Sequence, residues 1–244
     1  MIRRLVPRLA ALALAACTQG AQPAPGASPE PSAPSVVYAA LGASETAGVG
    51  TADPARDAFP QQFFHHLGAA SVMYDFGIPG ETTAAALQDE LPPALAVQPT
   101  LATVWFNVDD LVAGVPAADF AARLDQLVAA LRRRGARVLL ANTPHLAHLP
   151  AYAACRPNPP AGAPRCPLAG ITLPPPDQVD GLIQAYNAAI AVVAARDGAT
   201  LVDLYAQGEV ADQHPEYVSA DGFHPSTPGA AAIANAFASA MGIA

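Results

Sequence analysis

Val36-Val37-Tyr38-Ala39-Ala40-Leu41-Gly42-Ala43-Ser44 is an apolar run that stops at a glycine and then presents a hydroxyl. A short continuous apolar run, without polar alternation, reads as a strand covered on both faces. Four further runs follow it: Val72 to Phe76, Leu101 to Phe106, Arg137 to Ala141 and Thr200 to Leu204. Between them lie stretches with helical spacing. The clearest is Ala117 to Arg134, where Phe120, Leu124, Leu127, Val128 and Leu131 recur on one face. Pro60 to Ala70, Thr82 to Leu91, Asp177 to Arg196 and Pro228 to Met241 read as the other helices, with Pro92 ending the second of them. Residues 143–176 are proline-rich and read as irregular, and 205–227 as a long loop.

Strand–helix alternation of this kind predicts an α/β domain, with a five-stranded, mostly parallel sheet between two layers of helices. In such folds the site forms at the carboxyl ends of the strands. Ser44, Gly77 with Gly80, and Asn107 to Asp110 each lie just past a strand, so the three are expected to converge on one edge.

The net charge is -8 and all 12 basic residues are arginine. No basic face for nucleic acid is in evidence. The N-terminus reads as an address. Arg3, Arg4 and Arg8 precede a short apolar segment, Leu9 to Ala16, too short to span a bilayer as a mature helix. It ends in Leu14-Ala15-Ala16-Cys17, which resembles the bacterial lipobox, so residues 1–16 are expected to be a signal peptide and Cys17 the lipidated first residue. An ordinary signal peptide with an incidental cysteine is the alternative. Residues 17–35 then form a Pro/Ala/Ser-rich tether, and 36–244 the folded domain. The expected location is the cell envelope, outside the cytoplasm, on a lipid anchor. There a disulfide is permitted, and Cys155 and Cys166 are read as one, with two free thiols as the alternative. Their spacing does not suit zinc.

Asp221-Gly222-Phe223-His224-Pro225 precedes the last helix. Asp-x-x-His lets one loop supply a base and the carboxylate that orients it, and Ser44 supplies a hydroxyl that needs such a base. These blocks resemble those of the SGNH hydrolases, the GDSL-like esterases and lipases, over the whole region from Val36 to the last helix. The resemblance implies a flavodoxin-like three-layer fold. It also implies a Ser44–His224–Asp221 triad, an acyl-enzyme intermediate, and no metal or organic cofactor. The first block reads Gly42-Ala43-Ser44, with alanine where the family has aspartate. In the second, Asp75-Phe76-Gly77-Ile78-Pro79-Gly80-Glu81-Thr82, Gly80 matches the oxyanion-hole glycine, which would act beside the N–H of Ser44.

The third block departs further. It reads Asn107-Val108-Asp109-Asp110, and Asp109 stands where the family's asparagine donates a hydrogen bond. An ionised carboxylate only accepts. Asp109 is protonated, or Asn107 donates from two residues earlier, or the enzyme is weak; Asn107, which has the right amide, is preferred. The expected substrates are carboxylic esters with a short acyl chain, an acetylated sugar or a lysophospholipid. The alternatives are a weakened lipoprotein that binds polysaccharide or lipid, and an acyltransferase. His65 and His66 read as surface or helix-packing residues. His145 and His148 are weak candidates for the cleft wall or a fortuitous metal site, His214 reads as a loop residue and Trp105 as sheet core.

Overall fold

Five strands, β1 (Val37–Gly42), β2 (Val72–Asp75), β3 (Leu101–Trp105), β4 (Arg137–Ala141) and β5 (Thr200–Val202), pair in the order β2-β1-β3-β4-β5. All four pairings are parallel. The structure, a computed structural model, describes residues 35–163, 165–166, 173–208 and 210–243. The expected signal peptide, Cys17 and the tether up to residue 34 lie outside the described residues.

The helices are α1 (Pro54–Asp57), α2 (Phe59–Phe64), α3 (Thr83–Asp89), α4 (Leu91–Ala96), α5 (Val108–Val112), α6 (Ala117–Arg133), α7 (Pro150–Ala154), α8 (Pro176–Asp197), α9 (Val210–Gln213) and α10 (Thr227–Met241). Strand alternation divides the core into two layers. Ala39, Leu41, Val104, Val138 and Leu140 face α6 and α8, which bury Phe120, Leu124, Leu127, Tyr186 and Ile190. Tyr38, Ala40, Leu139 and Ala141 face α2 and α10, where Phe59 stacks on Phe237 with ring centroids 5.0 Å apart. Each large side chain so buried contributes roughly 1.5–3 kcal/mol. The central strands β1, β3 and β4 are therefore almost wholly buried, while the edge strand β2 is largely exposed.

Several local expectations are corrected. The helix expected over 60–70 ends at Phe64. Pro92 does not end the helical stretch; it sits in the first turn of α4, where a missing N–H costs nothing. The third motif block opens a helix, α5, and the proline-rich segment holds α7. Cys155 and Cys166 form a disulfide with their Cα atoms 4.8 Å apart.

This strand order reverses direction between β1 and β3, the place where doubly wound sheets open a crevice at their carboxyl ends. Ser44 follows β1 and α5 follows β3, so both flank that crevice.

Candidate active site

The turn carrying Ser44 leaves β1 at Gly42, whose N–H donates to the Glu90 carboxyl group (Oε2) at 2.9 Å. A Cβ at Gly42 would lie 2.1 Å from Thr46 Oγ1 and 2.7 Å from the Trp105 carbonyl oxygen. Only glycine lets β1, β3 and the turn come this close. Backbone bonds Ala47 N–H to Ala43 O (3.0 Å) and Val49 N–H to Ser44 O (2.9 Å) then close the turn. Glu90 is fully buried, and burial pushes its carboxyl up to about 9, so it is a neutral acid at neutral pH.

Opposite the turn, the loop 219–225 folds around one carboxylate. Asp221 accepts from the Ser219 hydroxyl (2.8 Å), the N–H groups of Phe223 (2.8 Å) and His224 (3.0 Å), and His224 Nδ1 (2.6 Å). Partial burial alone would raise this carboxyl, but the His224 bond and the other donors outweigh it and hold it down at about 2. An ionised carboxylate can only accept, so Nδ1 is the nitrogen that donates to it, which leaves Nε2 as the one able to act as a base. The two loops touch at Gly50, where a Cβ would lie 2.7 Å from His224 Cβ.

Ser44, Gly80, Asp109, Asp221 and His224 line one cavity of about 620 Å³. Gly80 has φ +84°, and a Cβ there would meet nothing within 4 Å; glycine is required by the backbone's handedness and not by crowding. Among the described residues, the N–H groups of Ser44 and Gly80 have no protein acceptor.

The third block divides sharply. Asp110 is fully buried and accepts from Thr83 N and Oγ1, both at 2.8 Å, with Arg123 4.0 Å away; it ties α5 to α3. Asp109 is on the cavity wall. Burial raises its carboxyl, the neighbouring Asp110 adds to the rise, and His224 partly offsets it. Asn107 is buried at the start of α5, outside the cavity lining, and its Nδ2 has no partner among the described residues.

Two acids escaped the sequence reading. Glu45 follows Ser44 directly. Burial raises its carboxyl, while its own backbone N–H, the His224 ring and the Ser44 side chain act the other way. An ionisable side chain next to the nucleophile was the available signal. Glu90 had none, because its burial depends on strand order. Of the other histidines, His65 and His66 are exposed. His148 pairs with Asp212 at 2.7 Å and His214 with Glu216 at 3.1 Å, while His145 stacks on Tyr205. Among the described residues no group of three or more His, Cys, Asp or Glu side chains could hold a metal ion.

The arrangement can place a hydroxyl, an imidazole and a hydrogen-bonded carboxylate around one apolar cavity, with two N–H donors unused among the described residues beside it. A family model for the GDSL-like lipase/acylhydrolase family matches residues 40–232. No curated protein matches the chain in sequence. Solved structures do match in fold. The lipase/acylhydrolase of Enterococcus faecalis shares 20% identity, with 82% of this chain and 92% of that one covered at a TM-score of 0.61. The psychrotrophic esterase EstA of a Pseudoalteromonas species shares 15%, covering 84% and 96%, at 0.60. A mutant acetyl-xylooligosaccharide esterase from Geobacillus shares 16%, covering 86% and 95%, at 0.60.

Proposed function

This chain belongs to the GDSL-like lipase/acylhydrolase family and is a serine ester hydrolase, and from that premise we propose that Ser44, His224 and Asp221 are its catalytic triad. The observation that carries the reading is the 2.6 Å bond from His224 Nδ1 to a carboxylate held down at about 2, on a cavity that Ser44 also lines. His224 Nε2 takes the Ser44 proton as Oγ bonds to the ester carbonyl carbon. The N–H groups of Ser44 and Gly80 receive the oxyanion. His224 then protonates the leaving alcohol as the old C–O bond breaks. Water, activated by the same imidazole, releases the acid and restores Ser44.

Asp109 supplies a third donor in this reading, as a protonated carboxylic acid. Its raised affinity for a proton and its place on the cavity wall support it over Asn107. An ionised Asp109 would repel the oxyanion, which is the basis of a second reading, a catalytically weakened lipoprotein that binds polysaccharide or lipid. The protein works outside the cytoplasm on a lipid anchor at Cys17. The arginine-led apolar leader and the lipobox-like tetrad support this, and a disulfide suits that compartment.

The test is hydrolysis of p-nitrophenyl esters of graded chain length by the full chain, with Ser44→Ala beside it. Loss of activity in the variant supports the triad. Equal activity in both removes it.

A further inference from the structure

A second cavity, of about 610 Å³, lies against the first. Val108, Leu146, Phe223 and His224 line both, so the two cavities meet at these residues. Their chemistry differs. Away from the triad, the first cavity is walled by Leu111, Val112, Tyr152, Val179 and Leu182. The second carries Glu45, Trp105, Gln207, Gln213 and Asn235. Trp105 is 5% exposed, and its indole N–H is buried without an acceptor among the described residues. A buried unpaired donor is costly, and a ligand oxygen that accepts from it removes the cost.

The reaction geometry sorts the two halves of an ester between these cavities. Gly80 lines only the first, so the acyl carbon and its oxyanion lie there. The leaving oxygen must reach His224 to be protonated, so the rest of the alcohol extends past the ring, where the second cavity opens. Resting on the triad reading, we propose that the second cavity binds the alcohol half of the ester, and that this alcohol is uncharged and hydroxyl-bearing, as in a monoacylated polyol. Trp105 donates to one of its oxygens, and Glu45 meets a neighbouring hydroxyl. Charge argues against a phosphorylated alcohol. The chain has no lysine and no arginine lines either cavity; in the second, Glu45 stands with the imidazoles of His145, His214 and His224. A phosphate or diphosphate on the leaving group would meet Glu45 and no guanidinium or ammonium to pair with it.

The experiment compares three esters of decanoic acid with the full chain in detergent: 1-decanoylglycerol, ethyl decanoate and decanoyl lysophosphatidylcholine. The glycerol ester is expected to exceed each of the others in kcat/KM by about tenfold, the effect of one or two well-placed hydrogen bonds. Trp105→Phe keeps a ring against Phe59 and removes the N–H, so the glycerol-to-ethyl ratio should fall severalfold. A measurement without a variant is inhibition by 1-O-decylglycerol, which should be tighter than by decyl ethyl ether. Ethyl decanoate or the lysophospholipid as the better substrate, an unchanged ratio in Trp105→Phe, or equal inhibition by the two ethers would overturn the proposal and leave the triad standing. Failure to hydrolyse any ester, with Ser44 unreactive toward a fluorophosphonate, would remove the triad reading as well.

Discussion

The Glu90 carboxyl group, fully buried, accepts from the backbone N–H of Gly42 at 2.9 Å, two residues before Ser44. The strand end that carries the nucleophile is thus held by a buried acid. Burial pushes that acid up to about 9, a bond from Gly42 opposes the rise, and Glu81, Asp75 and Asp89 reinforce it. Below the ordinary value of 4.5 the group is protonated in both folded and unfolded chains. Above it the unfolded chain sheds a proton that the folded one keeps. Stability then falls by up to about 1.4 kcal/mol per pH unit until pH approaches 9. Glu90→Gln keeps an acceptor for Gly42 and cannot ionise. Its melting temperature should match or trail wild type near pH 4.5 and overtake it progressively by pH 8. A constant difference across that range would contradict this account of Glu90.

Gly50 couples the serine turn to the histidine loop. It has φ +94°, and a Cβ would come within 2.7 Å of both His224 Cβ and the Pro225 carbonyl oxygen. Gly50→Ala should therefore cost roughly 2–3 kcal/mol of stability from strain and overpacking. It should also lower kcat, because relief requires the His224 backbone to shift from its place on the cavity. Urea melts and kcat on one ester measure both. Wild-type kcat in a folded variant would show that the contact does not set the histidine's position.

Asp109 makes the pH profile diagnostic. The donor role needs the Asp109 proton, so wild-type activity should depend on keeping it. Asp109 is raised by burial, and activity should decline as pH rises through its titration. Asp109→Asn supplies a permanent donor. It should broaden the profile to the alkaline side and raise kcat there by ~10- to 100-fold, approaching the value of one oxyanion donor. An identical profile in the variant would remove Asp109 from the oxyanion hole.

Asp221 stays ionised throughout any working range, since its partners hold it at about 2. Asp221→Asn keeps the shape and removes the charge. The imidazole then takes the wrong tautomer, and kcat should drop by ~10⁴-fold. A loss under tenfold would mean that another group orients His224.

Cys155 lines the first cavity and is bonded to Cys166. Breaking that link by Cys166→Ser should lower stability by about 2–3 kcal/mol through restored chain entropy. It should also weaken binding of long acyl chains more than short ones, seen as a rise in KM for decanoate over acetate esters. An equal change for both would place the disulfide's effect on folding alone.

The layers of the fold were legible because burial writes itself into composition. β4 is bounded by the residues its apolar run predicts, and α6 by the five side chains it buries. Short helices were not legible. α5 and α7 have five residues each, too few for a period to emerge, and α4 begins with the residues that read as a stop. At the site, residue types gave the Ser44, Asp221 and His224 candidates, and the structure brings all three to one cavity. It also set Asp109 on the wall and left Asn107 out of the lining, a distinction that the start of a helix makes between two residues and spacing does not. Glu45 and Trp105 gained their interest from a second cavity, which forms from segments as distant as 45 and 236 in the chain.

The most direct test of the central claim is mass spectrometry of the full chain after brief reaction with a p-nitrophenyl ester or a fluorophosphonate. The account predicts one adduct, on the peptide containing Ser44, absent from Ser44→Ala and slowed in His224→Ala. An adduct on any other residue, or ester hydrolysis that persists in Ser44→Ala, would contradict it.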